Sequence, residues 1–245
     1  MRALLADAWR TLAPGPGEPQ GPLPPLLLVL TAVSGLVDAV GYLALGQVFV
    51  ANMTGNVVLL GFALAGDDRV SALGSAVALG TFLAGAVTGG RIATRFAAHR
   101  GRLFAVGTAA ETALVAVALA VLVSSGARIG TGVRYTLIVC LGTAMGLQSA
   151  VARRLGVPDL TTTVLTQTLT GLAADPGEAG GGPPRPGRRL LAVLTMLLGA
   201  LAGGLLVLHG HVGWALALCL ALPALVSLTA VRLSRADAPW VRPRR

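Results

Sequence analysis

Residues Ser34–Ala65 read SGLVDAVGYLALGQVFVANMTGNVVLLGFALA. The stretch is apolar enough for a bilayer, yet it carries Asp38, Gln47, Asn52, Thr54 and Asn56. Polar side chains inside an apolar run cost free energy in hydrocarbon unless they face a cavity or a partner. This stretch is therefore read as the working part of the chain, and the other segments are placed around it.

Of the 245 residues, 54% are hydrophobic and only 12% are charged. Mean hydropathy is +0.77. That is too little charge to solvate a globular surface, and the composition implies an integral membrane protein. The net charge of +9 would suggest nucleic acid in a soluble chain. All 19 basic residues are arginine, however, and they cluster between apolar runs, a pattern of membrane orientation that excludes a nucleic-acid surface. Cys140 and Cys219 both fall within apolar runs, so neither a disulfide framework nor a metal cluster is expected. Residues 1–25 read as an amphipathic segment lying on the membrane surface, followed by a Pro/Gly linker.

Eight apolar runs follow, at 26–45, 48–65, 72–90, 103–123, 135–152, 160–174, 190–208 and 212–233. Those at 48–65 and 160–174 are short for a hydrocarbon core about 30 Å thick, and they are unusually polar. They also occupy matching places in an internal repeat. Gly35-Leu36 recurs as Gly146-Leu147, an offset of 111 (146 less 35), and Thr54 pairs with Thr166. The block Gly85 to Gly90 recurs as Gly199 to Gly204. A nearly constant offset implies two repeats, 26–125 and 134–233, joined through a flexible cytoplasmic loop at 175–189 and followed by a basic tail at 234–245.

If all eight runs crossed, the Arg-rich loops at 91–102 and 185–189 could not both share a side with the Arg-bearing termini. If the two short polar runs turn back, each repeat makes three crossings, and only Arg69, Arg128 and Arg134 lie outside. The expected architecture is thus all-α: a polytopic membrane bundle of six transmembrane helices plus two short re-entrant or broken helices, in two inverted repeats with cytoplasmic N- and C-termini.

Asp38 lies near the middle of the first run, with Ser34, Gly35, Gly41 and Tyr42 on the same helix face. A buried acid there costs at least about 2.5 kcal/mol. It is read either as a cation, amine or proton site, or as a carboxylate bonded to nearby backbone or paired with Arg153 or Arg154. In Asn52-Met53-Thr54-Gly55-Asn56, glycine stands among short polar side chains, a composition that tolerates irregular backbone. The readings are a broken helix that binds solute through exposed amides and carbonyls, or an ordinary helix whose Asn and Thr bridge neighbours. Thr161, Thr162, Thr163, Thr166 and Thr168 would supply the opposing wall or simply pack, and Asp159 would cap the helix that carries them. Glu111, the other acid within a span, is the proton-coupling candidate. Gly85, Gly89, Gly199 and Gly203 are read as helix-packing positions, and His99 as solvated.

The blocks Asp38 to Leu43 (DAVGYL), Phe49 to Asn56 (FVANMTGN), Gly146 to Ala150 (GLQSA) and Thr161 to Thr166 (TTTVLT) resemble the YoaK-like family of bacterial inner-membrane proteins, a domain-of-unknown-function family. The resemblance runs from about residue 30 to 233 and implies about six spans in the bacterial cytoplasmic membrane. It also brings Gln148 into the candidate set. The chain departs from the family pattern at Ser149 and Gln167, and the family carries no established reaction.

Metalloprotease, nucleophile-elbow and phosphate-loop motifs are absent, so the chain is not read as an enzyme, and no cofactor or metal is expected. The expectation is a secondary transporter of a small polar solute or ion. Its binding residues would be Asp38, Tyr42, Asn52, Thr54, Gly55, Asn56, Gln148, Thr162, Thr163 and Thr166, and its surroundings the lipid bilayer. The alternative is a non-transporting membrane scaffold or regulatory protein.

Overall fold

The computed structural model describes residues 2–15, 18–160, 166, 168–170, 185–234 and 239–242. Among these the regular structure is entirely helical. The elements are α1 (Arg2–Leu12), α2 (Leu23–Ala44), α3 (Met53–Leu64), α4 (Ala72–Arg95), α5 (Arg100–Ser124), α6 (Thr131–Leu155), α7 (Pro186–Leu208), α8 (Val212–Ser234) and a 3-10 turn at Pro239–Val241. Six of them, α2 and α4 to α8, are long and apolar enough to cross a membrane, and α3 is a shorter apolar helix.

Local chemistry sets the helix ends. Pro24 stands in the first turn of α2, where a missing N–H breaks no helical bond. The Ser71 hydroxyl accepts the Gly74 amide at 2.9 Å to start α4. His99, expected to be solvated, caps α5 by accepting the Arg102 amide through Nδ1 at 3.1 Å. Gly156, in the left-handed region at φ 60°, closes α6.

Close packing depends on glycine. A Cβ on Gly85 or Gly89 of α4 would overlap backbone of Thr143 or Leu147 on α6. A Cβ on Gly199 or Gly203 of α7 would meet Ala32 or Leu36 on α2 in the same way. Reciprocally, Gly146 on α6 is seated against the Phe82 carbonyl, and Gly35 on α2 against that of Met196. The spacing of 111 between α2 and α6 and of 114 between α4 and α7 thus recurs in the contacts as well as in the residues. Each pair advances together in sequence, so α4 runs parallel to α6 and α2 parallel to α7.

Between α5 and α8 the order reverses. Gly101 meets Ser234, and the Ser227 hydroxyl donates to the Ala105 carbonyl at 3.3 Å, so these helices are antiparallel. With the short α5–α6 and α7–α8 turns, α2, α5 and α7 point one way, and α4, α6 and α8 the other. Arg91, Arg95, Arg100, Arg102, Arg153, Arg154, Arg188, Arg189 and Arg232 consequently share one end of the bundle, while Arg69, Arg128 and Arg134 lie at the opposite end.

The arginine-rich end is capped. Gly187 brings the start of α7 against α1, and the Asp7 carboxylate accepts the Arg188 amide at 3.1 Å. The Arg188 guanidinium donates to Gln20 at 2.8 Å. Helix α1 is therefore docked on protein as well as amphipathic, with Leu5, Trp9 and Leu12 left exposed on its outer side. One sequence boundary moves: residues 186–189, expected within the linker, form the first turn of α7. Asp159 pairs with Arg189 at 2.9 Å, and the helix start it is expected to cap, at 161–165, lies outside the described residues. Most of the expected linker, at 175–184, lies outside the described residues.

Candidate functional site

The chain does not continue from α2 into another helix. Gly46 and Gln47 take positive φ, 91° and 58°, and turn the backbone sharply. The Gln47 and Val48 amides then bond to the Tyr42 and Gly41 carbonyls, at 3.1 and 3.4 Å, so residues 46–52 double back along the last turns of α2. Gly41 permits this approach, since a Cβ there would overlap the Val48 carbonyl oxygen.

The returning loop is tied at two points. Oδ1 of Asp38 accepts the amides of Val50 at 2.9 Å, Ala51 at 2.7 Å and Asn52 at 3.4 Å. Asp38 lies six residues before the end of α2, about 9 Å in at the helical rise. The side chain of Asn56, fully buried, makes the second tie: its Oδ1 accepts the Phe49 amide at 2.9 Å and its Nδ2 donates to the Phe49 carbonyl at 2.6 Å. The amide group of Asn56 thereby pairs with Phe49 as a neighbouring strand would. Asn52 begins α3, its Oδ1 accepting the Gly55 amide at 3.4 Å. Gly55 leaves room for the Phe49 ring, which stacks on Tyr42 with centroids 5.2 Å apart.

On the far side of this loop lies a cavity of about 880 Å³. Its wall from the first half of the chain includes Ala51, Asn52, Thr54 and Gly55, with Phe82 from α4. Facing them are Thr166 and, from α7, Met196. Several backbone groups at this wall are unpaired. Among the described residues, the Met53 and Thr54 amides, in the first turn of α3, and the Ala51 carbonyl have no hydrogen-bond partner. Backbone of that kind is tolerated at membrane depth only where it lines a cavity or is buried in protein.

The sequence-predicted residues thus divide by position. Asn52, Thr54, Gly55 and Thr166 line the cavity. Asp38 and Asn56 stand behind the loop and hold it, and Tyr42 supports Phe49. Asp38 has no arginine partner: its bonds go to backbone, while Arg153 and Arg154 are exposed. Gln148 is not at the cavity. It lies in the core, donating to the Ser34 hydroxyl at 3.0 Å, and it lines a separate narrow cleft with Glu111. Thr162 and Thr163 lie outside the described residues. Phe49, Phe82 and Met196 were not anticipated from sequence. The last two were within reach of it, because each stands three residues before a matching glycine, Gly85 and Gly199.

The UPF0700 transmembrane protein YoaK of Bacillus subtilis (strain 168) is 36% identical over 151 residues, 61% of this chain and 65% of that protein. The chain thus spans a little under two thirds of that relative's length. No solved structure matches. The family described as "Protein of unknown function (DUF1275)" matches residues 26–229, from α2 nearly to the end of α8. The chain is a multi-pass membrane protein and a member of the DUF1275 family.

Proposed function

We propose that the protein is a secondary transporter of a small polar solute or ion, rather than an enzyme, in the bacterial cytoplasmic membrane. In this reading the two halves are inverted repeats, both termini are cytoplasmic, and the cavity beside residues 50–55 is the solute site. The observation that carries it is the unpaired backbone at that cavity: amides of Met53 and Thr54 beside the carbonyl of Ala51. Such a wall presents donors and acceptors together, and a small polar molecule satisfies both. Discontinuous helices at a repeat interface are a common way for transporters to build such sites.

Three further features support the reading. The cavity draws on both halves in matching register, Thr54 with Thr166 and Phe82 with Met196. Three alternating helices in each half, with the second half opposite in sense to the first, are the arrangement of inverted repeats. The clustering of arginine at one end of the bundle fits a cytoplasmic side. Asp38 acts in this scheme by positioning the loop rather than by touching solute.

The test has two parts. In a chain lacking Cys140 and Cys219, single cysteines replace Arg10, Asp68 and Ala98 in intact cells. A membrane-impermeant thiol reagent should label only the Asp68 position; labelling at Ala98 would overturn the topology. Reconstituted protein is then pulsed with amino acids, amines, sugars and inorganic ions on a solid-supported membrane. At least one class should evoke a current or uptake that Asn52→Leu and Thr54→Val reduce at least tenfold without loss of folded protein. If wild type and Asn52→Leu respond alike to every class, the scaffold or regulatory reading replaces this one.

A further inference from the structure

Apart from the loop cavity, α5 carries a carboxyl with nothing to bind. Glu111 is fully buried, and neither Oε1 nor Oε2 has a hydrogen-bond partner. It opens onto a narrow cleft between α2, α5 and α6, too small to admit water, which Gln148 and Thr108 also line. Gln148 is buried as well, and its Oε1 is unpartnered.

The amide of Gln148 cannot simply be turned round. Its Nε2 faces the Leu30 carbonyl at 3.4 Å and the Ser34 hydroxyl at 3.0 Å. The hydroxyl of Ser34 itself donates to the Leu30 carbonyl, so a reversed amide would set oxygen against a carbonyl that can only accept. The Thr108 hydroxyl is likewise engaged, donating to the Phe104 carbonyl at 2.9 Å. The cleft therefore gathers three acceptor oxygens, two from Glu111 and one from Gln148, and no donor directed at them. Among the described residues, the Cys219 thiol of α8 is the ionisable group within electrostatic reach of Glu111. Helices α2 and α6 bring no ionisable side chain to the cleft.

We propose that this cleft is a binding site for a small monovalent cation, H+ or Na+, held between the Glu111 carboxylate and the Gln148 amide oxygen. A buried carboxylate without a counter-charge is strongly unfavourable, and a cation of this size supplies both the charge and the missing partner. A proton makes Glu111 a donor to Gln148. A sodium ion takes the same oxygens as ligands, as hard cations prefer. The Gln148–Ser34 bond links occupancy to α2, and Ser34 lies one turn before Asp38 on the same face. This inference concerns equilibrium binding and does not rest on the transport reading.

The experiment uses the full chain in lipid nanodiscs, in a Cys219→Ala background that removes the thiol's own titration. Melting temperature is followed in NaCl, KCl and choline chloride over a range of pH for the parent, Glu111→Gln and Gln148→Leu. For a sodium site, the parent's melting temperature rises with the logarithm of Na+ concentration above that in choline, and Glu111→Gln does not respond. For a proton site, the parent gains stability relative to Glu111→Gln as pH falls, with no difference between the salts. Gln148→Leu, which keeps the carboxyl and removes the neutral ligand, should weaken either response and decides the matter if Glu111→Gln fails to fold. The proposal is overturned if parent and Glu111→Gln track each other through every salt and pH, or if Gln148→Leu responds as fully as the parent.

Discussion

Replacing Asp38 tests whether one carboxylate oxygen holds the returning loop. Two of its three bonds, at 2.9 and 2.7 Å, are of full strength, and the third, at 3.4 Å, is counted as negligible. In Asp38→Asn an amide oxygen still accepts, but bonds to a charged acceptor are roughly twice as strong as neutral ones. Losing about 1 kcal/mol on each of two bonds gives about 2 kcal/mol. In Asp38→Ala two buried amides lose their acceptor altogether, at about 2 kcal/mol each, or about 4 kcal/mol together. Global melting is a poor readout, because removing a buried charge also relieves its desolvation and works in the opposite direction. Hydrogen exchange at the Val50, Ala51 and Asn52 amides reads the loop alone. At about 1.4 kcal/mol per tenfold, Asp38→Asn should speed exchange there roughly 30-fold and Asp38→Ala on the order of a thousandfold. Equal exchange at these amides in all three proteins would refute the tie and return Asp38 to the role of a free acid facing the cavity.

Asn56→Ala removes both bonds to Phe49 and should destabilise the loop by about 2–4 kcal/mol, whereas Asn56→Asp, which keeps the acceptor and loses the donor, should fall between; exchange at the Phe49 amide separates them. Gly146→Val should force α4 from α6 and lower stability by at least about 1–3 kcal/mol, while Gly90→Ala, with open space around its Cβ position, should leave thermal melting unchanged. Outside the membrane helices, the Arg69 guanidinium holds the partly exposed Asp67 carboxyl below its ordinary value of 3.8. Any stability from that pair is present above the ordinary value and fades as pH falls through the lowered one. Arg69→Ala should therefore raise the Asp67 titration midpoint, read by NMR, with no change in melting at neutral pH.

The lengths of the apolar runs were sufficient to locate the six long helices, because a hydrocarbon core sets a minimum span whatever the packing. The irregular backbone was also legible, from Asn and Gly crowded into one apolar segment, but its position was not. The break precedes Asn52 instead of falling inside Asn52 to Asn56, because an asparagine oxygen makes a good helix cap and Met53 to Asn56 are free to form the first turn of α3. Gly55 is small to accommodate the Phe49 ring, and its own backbone is helical. The bonds from Asp38 to residues 12–14 positions later depend on a reversal at Gly46 and Gln47. No periodicity within α2 encodes that reversal. Gln148 illustrates the other limit: sequence shows a polar residue in a span, while only tertiary packing decides which of two polar spaces it faces.

The internal repeat is close in packing and loose in polarity, and that difference bears on how the site works. Where a Cβ cannot fit, the halves agree: Gly35 with Gly146, Gly85 with Gly199, and Gly89 with Gly203. The position 111 residues after Asp38 is Ser149, whose buried hydroxyl has no partner. A neutral hydroxyl lacks the charge that strengthens the Asp38 bonds, so Ser149 is no counterpart of Asp38. Among the described residues, the cavity has unequal walls. From the first half come backbone donors and acceptors fixed by Asp38 and Asn56, and from the second come the side chains of Thr166 and Met196. Under the transport reading proposed above, the first half would do most to orient the solute. Substitutions behind the loop, at positions that never touch the solute, should consequently weaken binding as much as substitutions that line the cavity.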